Sequence, residues 1–212
     1  MDEHEEGRSA RKHRAIVEAA TTAFLDKGYD GTSMDEIAAM AAVSKQTVYK
    51  HFADKETLFA EIVLATTEQV NQIVRLVTDS LADTQDLAED LGELARRFIT
   101  VLMQPQILRL RRMVISSANR FPDLGRTWYE QGFERALAAM ASAFQELVRQ
   151  GLLFMDDPQL AADHFVGMLL WIPVNKAMFT GNDNYGNEVE LERYADATVR
   201  VFLNAYGRPR RG

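Results

Sequence analysis

Apolar positions recur at three- and four-residue intervals along the chain, the spacing of helix faces turned to a core. Ile16, Ala20, Ala23 and Phe24 share one such face. Gly28 stands where a helix commonly ends in the left-handed region, and the Tyr-Asp-Gly-Thr of residues 29–32 reads as a turn. Ser33-Met34-Asp35-Glu36 has capping-box spacing: the Ser33 oxygen can accept from the Glu36 amide while the Glu36 carboxylate reaches back. A short helix with Met34, Ile37, Ala38 and Ala41 inward follows. Ser44 can cap the next helix, which ends near Phe52. Asp54 can cap a longer one striped by Leu58, Phe59, Ile62, Val63, Val70, Ile73, Val74 and Val77. Further helices are predicted at 85–103, 105–119 and 123–150, with Pro105 and Pro122 suited to first turns, where a missing amide goes unnoticed. Gly151 stops the third. The last two helices are predicted at 157–179 and 188–206, separated by a polar loop. No strand-like alternation or internal repeat stands out, so the pattern predicts an all-α chain of about nine helices.

Composition narrows the class. With 47% hydrophobic and 26% charged residues, the 212-residue chain fits one or two globular domains. The absence of cysteine excludes disulfides and thiolate zinc sites, and a cytoplasmic location is expected. The opening MDEHEEGRSARKHR lacks the apolar core of a secretory signal. No run reaches the ~18 apolar residues of a membrane span. The best candidate, 165–179, is interrupted by Pro173, Asn175 and Lys176. The four histidines are scattered without metal-ligand spacing, and no phosphate-binding glycine loop or nucleophile motif is present. Neither catalysis nor a metal or cofactor is expected.

Charge then picks out one segment. The chain carries 24 Lys and Arg against 31 Asp and Glu, a net −7 that disfavours indiscriminate coating of nucleic acid. Yet residues 43–52 read VSKQTVYKHF. At 100° per residue, Val48 and Phe52 fall on one side, and Gln46, Thr47 and Lys50 lie roughly opposite. Lys45 and Tyr49 flank that polar face on one edge and His51 on the other. Amide, hydroxyl, ammonium and imidazole groups together suit base edges and phosphate oxygens. Two short helices joined by Ala42-Val43-Ser44 form a helix-turn-helix, whose second helix enters the major groove. A helical hairpin with a merely solvated charged face is the alternative.

The stretch from Ala20 to Phe59 resembles the DNA-binding domain of the tetracycline-repressor (TetR) family of bacterial transcriptional regulators. The matching features are Phe24, Gly28-Tyr29, Thr32-Ser33, Ile37-Ala38, Val43-Ser44, Thr47-Val48-Tyr49, His51-Phe52 and Lys55-Glu56-Thr57-Leu58-Phe59. The resemblance implies base reading by Lys45 and Gln46, and a base or phosphate contact by Thr47. It implies backbone contacts by Tyr49, Lys50, His51 and Lys55. Ser33 and Ser44, at helix starts, can also donate to phosphate; capping alone is the alternative. Lys12 and Arg14 are further basic candidates. Ala42 stands where this family often has glycine, so a positive φ there would be strained.

The resemblance also implies a larger C-terminal helical domain with a ligand pocket and a dimer interface built from the last two helices. The expected division is 9–55 for the DNA-binding domain and 56–206 for the ligand-binding and dimerisation domain, with tails at 1–8 and 207–212. The elements around Arg120-Phe121-Pro122 and Trp128-Tyr129-Glu130 resemble the AefR-like subtype. The pocket candidates are Phe98, Met103, Met113, Ser117, Phe121, Trp128, Tyr129, Phe133, Met168, Trp171 and Asn175, an aromatic and methionine-rich set suited to a small, largely apolar effector. The dimer candidates are Phe165, Leu169, Ile172, Met178, Tyr194, Val199 and Phe202. The 157–179 helix is apolar on more than one side, and Pro173 predicts a kink near 169–171. The expected partners are a double-stranded palindromic operator, a small-molecule effector and a second copy of the chain, with no membrane. An activator of the same family, or a helical interaction protein that does not bind DNA, remains the alternative.

Overall fold

The computed structural model describes residues 3–65, 67–82, 84–183 and 187–208, with side chains except at 3–6 and 67–69. Eleven α-helical segments follow one another among these residues: α1 (Glu3–Lys27), α2 (Met34–Met40), α3 (Lys45–His51), α4 (Lys55–Ala65), α5 (Thr67–Leu81), α6 (Leu87–Leu102), α7 (Pro105–Ser117), α8 (Pro122–Trp128), α9 (Arg135–Arg149), α10 (Pro158–Thr180) and α11 (Glu188–Tyr206). The only strand-like pairing described is a single bridge between Leu153 and Gly207. All nine predicted spans hold helix. Two of them hold two segments: α4 and α5 in one, and α8 and α9 in the other, where a π-helical turn at Tyr129–Glu134 intervenes. α1 begins at Glu3, so residues 3–8, expected as a tail, are helical. Of the predicted C-terminal tail, 209–212 lie outside the described residues, as do 184–186 of the polar loop.

The chain forms two compact units. The first takes residues 1–66 and 109–128. Its core joins Ile16, Ala20 and Phe24 of α1, Ile37 and Ala38 of α2, Val48 of α3 and Phe52 after it, and Leu58, Phe59, Ile62 and Val63 of α4. Leu110, Met113 and Val114 of α7 are buried in the same core, with Phe121, Leu124 and Trp128 packed against it. Packing therefore divides the chain differently from a boundary at 55/56, because α4 and the α7–α8 corner bury their apolar faces with α1.

The second unit takes 67–108 and 129–212. There α6 pairs with α11, α9 with α10, and α5 with both α6 and α9. Phe144, Phe165 and Phe202 form an aromatic triangle with centroids 4.8–5.8 Å apart. Arg96 on α6 donates to Asp196 on α11 at 2.8 Å. α10 continues from Pro158 to Thr180 with Pro173 inside it, and Gly181 closes it at φ 67°. It buries Phe165, Leu169 and Ala177 and exposes Leu160, Met168, Trp171, Ile172 and Phe179.

Candidate nucleic-acid interface

The reading face is built by short-range hydrogen bonding before packing enters. Ser33 caps α2, its Oγ accepting from the Glu36 amide at 3.2 Å. The Glu36 carboxylate does not complete the expected reciprocal box. It takes the Lys27 ammonium instead. α2 then ends in a Schellman arrangement, with Val43 N donating to Ala38 O at 3.0 Å and Ala42 N to Ala39 O at 3.2 Å. This places Ala42 at φ 53°, the left-handed conformation anticipated for it. Ser44 caps α3 by accepting from the Thr47 amide at 3.1 Å, and its Oγ lies 2.8 Å from Thr47 Oγ1. Val48 and Phe52 are 0% and 1% exposed. With those two side chains pinned, rotation of α3 is fixed, and Gln46, Tyr49 and Lys50 are turned to solvent.

All nine residues expected to contact DNA lie in the first unit. Ser33, Ser44, Lys45, Gln46, Tyr49 and Lys50 are exposed, and Thr47, His51 and Lys55 are half-buried. One flank of α3 forms a groove with the start of α1: Arg8, Ser9 and Lys12 line it together with Gln46, Thr47, Lys50 and His51. Lys12 was legible as a basic candidate. Arg8 was not, because it falls in a stretch expected to be a tail, although Arg8, Arg11, Lys12 and Arg14 already sit at helical spacing.

Behind that groove, the His13 ring lies edge-on to His51 at 5.7 Å, and His13 Nε2 is 3.1 Å from Glu61 Oε1. Burial, then the charges of His13, Lys50 and Lys12, push the His51 imidazole below its ordinary value.

The other flank carries Ser33, Asp35, Lys45, Asp54 and Lys55. Lys45 Nζ is 2.7 Å from Asp35 Oδ1 and 3.0 Å from Oδ2, and that hydrogen bond holds the ammonium pKa up. Asp54 accepts from the Thr57 amide at 2.7 Å, capping α4 as expected, and this bond lowers its carboxyl pKa. Lys55 is more committed than a free phosphate anchor. Its ammonium donates to Tyr29 O at 2.7 Å and Thr32 O at 2.8 Å and lies 4.2 Å from the Tyr29 ring centroid.

The pocket candidates are spread over two cores and an exterior face. Phe98 and Met103 are buried in the second unit, and Met113 is buried in the first. Phe121 packs on Tyr29 and Phe59 at 4.9 and 5.8 Å, and Trp128 joins the same core, with Ser117 half-buried at the end of α7. Tyr129 and Phe133 stack at 5.7 Å in the π-helical turn. Met168 and Trp171 lie on the exposed face of α10, and Asn175 donates to Trp171 O at 2.7 Å.

The dimer candidates divide as well. Phe165, Leu169 and Phe202 are 0% exposed and Val199 is buried, so they serve the core of their own protomer. Met178 and Tyr194 are half-buried against that core, and Ile172 alone of the seven is exposed. A helix apolar on two sides gives no sequence signal as to which side faces inward.

Comparisons with known proteins agree with this arrangement. The family model for bacterial regulatory proteins of the tetR family matches residues 16–62, and that for the AefR-like transcriptional repressor C-terminal domain matches residues 89–208. A TetR-family regulator structure from Mesorhizobium loti is 58% identical, with a TM-score of 0.86 over 94% of this chain and 98% of that one. The flavonoid-responsive regulator FrrA is 29% identical, with a TM-score of 0.73 over 95% of this chain and all of the other, 100%. IcaR, the negative transcriptional regulator of the biofilm operon icaADBC in Staphylococcus aureus, is 30% identical over 94 residues, 42% of this chain. The chain spans about half the length of this relative, 50%.

Proposed function

Because this chain belongs to the TetR family of bacterial transcriptional regulators, we propose that it is a homodimeric repressor that binds a palindromic operator and is released by a small, largely apolar effector. It is a DNA-binding regulator and not an enzyme. The observation that carries the finer reading is the fixed rotation of α3: Val48 and Phe52 are buried while Gln46, Tyr49 and Lys50 face outward beside Arg8 and Lys12. In this reading Gln46 and Lys45 meet base edges, and Thr47, Tyr49, Lys50 and His51 meet the backbone. Ser33, Ser44 and the remaining donor capacity of Lys55 add phosphate contacts.

One such head gives a short site and weak affinity. Two heads reading half-sites one DNA turn apart, ~34–36 Å, overcome both limits. The exposed apolar face of α10, with Met168, Trp171, Ile172 and Phe179, supports association with a second copy. We assign dimerisation and effector binding to the C-terminal helices, and the cytoplasm as the place of action. No helix among the described residues is long and apolar enough to cross a membrane. The negative regulation named for IcaR supports the repressor sign. An effector that favours a conformer unsuited to the operator weakens DNA binding by linkage.

The test is titration of the purified chain against duplexes from its own promoter region at several salt concentrations. Saturable, salt-sensitive binding with two chains per site is expected. Binding that is independent of both sequence and salt would sink the proposal.

A further inference from the structure

The two flanks of α3 are electrostatically unlike. On the α1 side, Arg8, Lys12 and Lys50 form no ion pair among the described residues. On the α2 side, both ammonium groups are already engaged: Lys45 with Asp35, and Lys55 with the carbonyls of Tyr29 and Thr32. The neighbouring Asp54 carboxylate is turned to the Thr57 amide. The first flank is therefore the gripping side. The second offers a carboxylate and an ammonium side by side, 60–64% exposed at a surface where phosphates would approach.

We propose that Asp35 is a specificity-determining residue: it holds Lys45 off the phosphate backbone, so that the two side chains meet DNA as a joined donor–acceptor unit that recognises a G·C pair. This rests on the reading of α3 as the recognition helix. A neutral pair releases no counterions, so it adds nothing to sequence-independent affinity. Moving Lys45 alone to a phosphate would leave the Asp35 carboxylate uncompensated among phosphates. The major-groove edge of a G·C pair presents acceptors at guanine O6 and N7 beside a donor at cytosine N4. The ammonium can donate to guanine while the carboxylate accepts from cytosine, and neither has to leave the other. An A·T pair presents its one donor, adenine N6, between acceptors at adenine N7 and thymine O4, so a carboxylate drawn to it is pressed against a neighbouring acceptor.

The experiment uses the full chain, a duplex that it selects from a random-sequence library, and a scrambled duplex of equal length and composition. Asp35→Ala with Lys45→Ala, which removes the pair without leaving a lone carboxylate, is expected to weaken the selected duplex about tenfold and the scrambled duplex far less. Asp35→Asn is expected to strengthen scrambled-duplex binding and steepen its salt slope by about one unit as Lys45 turns to phosphate. Reselection with Asp35→Ala should lose one G·C preference in each half-site. Thermal melting of each variant confirms that the fold is kept. If the double substitution weakens both duplexes alike, or Asp35→Asn leaves their ratio unchanged, the inference fails while the recognition-helix reading stands. Failure of the unaltered chain to bind any duplex overturns both.

Discussion

Ala42 shows how one side chain can be read against a fixed backbone. Its φ of 53° costs a non-glycine residue roughly 1–2 kcal/mol, while glycine's extra freedom in the unfolded chain costs about 0.4–1. The first effect wins, so Ala42→Gly should raise stability by about 0.5–1 kcal/mol in urea unfolding. The strain was legible in sequence only through the resemblance, because Ala42 stands where the family often has glycine. The role of Lys55 was not legible. Its position implied phosphate, but its ammonium satisfies two carbonyls twenty-odd residues away in sequence, a tertiary fact that no local spacing encodes. Lys55→Met should therefore lower stability by about 1–3 kcal/mol as well as weaken all DNA alike. Gln46→Ala, fully outside the core, should leave stability unchanged and relax preference by about 1–3 kcal/mol at one base pair. Equal effects of the two substitutions on sequence preference would erase the distinction. His51 adds a pH dependence. Its depressed pKa means that the unfolded chain takes up that proton first as pH falls below about 6.5, so stability drops on acidification. His51→Gln should flatten the drop, as measured by urea midpoints between pH 7 and 5.

At the scale of elements, caps and glycines were the most legible features. Ser33, Ser44 and Asp54 each accept from an amide three residues on, as their spacing implied, and Asp157 does the same for α10. These are contacts within one turn, and sequence alone determines them. The π-helical turn at Tyr129–Glu134 left no such trace, because one extra residue in a helical turn changes neither composition nor apolar spacing enough to mark it. The inward face of α10 was hidden for another reason. Its residues are apolar on two sides, and only packing against α9 and α11 separates Phe165 and Leu169, which are buried, from Trp171 and Phe179, which are 68% and 87% exposed. The two sides should respond oppositely. Trp171→Glu should abolish self-association in sedimentation while shifting the denaturation of the protomer by no more than about 0.5 kcal/mol. Phe165→Ala should cost about 3–5 kcal/mol of stability, with any loss of association following from that. Association that survives Trp171→Glu would remove α10 from the interface.

At the scale of the whole molecule, the decisive feature is that the first unit is discontinuous in sequence. The chain leaves it after residue 66, returns at Arg109 and leaves again after Trp128. A family pattern confined to residues 16–62 makes the reading head look like an N-terminal module, and local helix spacing gave no reason to doubt it. The missing information is long-range: Leu110, Met113 and Val114 sit at 5–6% exposure in a core otherwise built from α1 to α4. Arg120 also donates to Asp30 at 2.8 Å and lies 5.0 Å from the Tyr29 ring centroid. Burying those three apolar side chains contributes roughly 5–9 kcal/mol, at about 1.5–3 each. That is comparable to the whole stability of an ordinary domain, about 5–15 kcal/mol. A fragment of residues 1–66 should therefore melt broadly and far below the intact chain, and bind apolar dyes, although it holds every residue assigned to DNA. Circular dichroism melts of fragment and full chain decide this, and a cooperative fragment transition near that of the full chain would contradict it. The same discontinuity bears on the effector linkage proposed above. Residues 109–128 are core to the head, yet they are joined by peptide bonds at both ends to the unit proposed to bind the effector. Within the head that segment is held by Phe121 on Phe59 and Tyr29, beside the Lys55 ammonium on the Tyr29 ring.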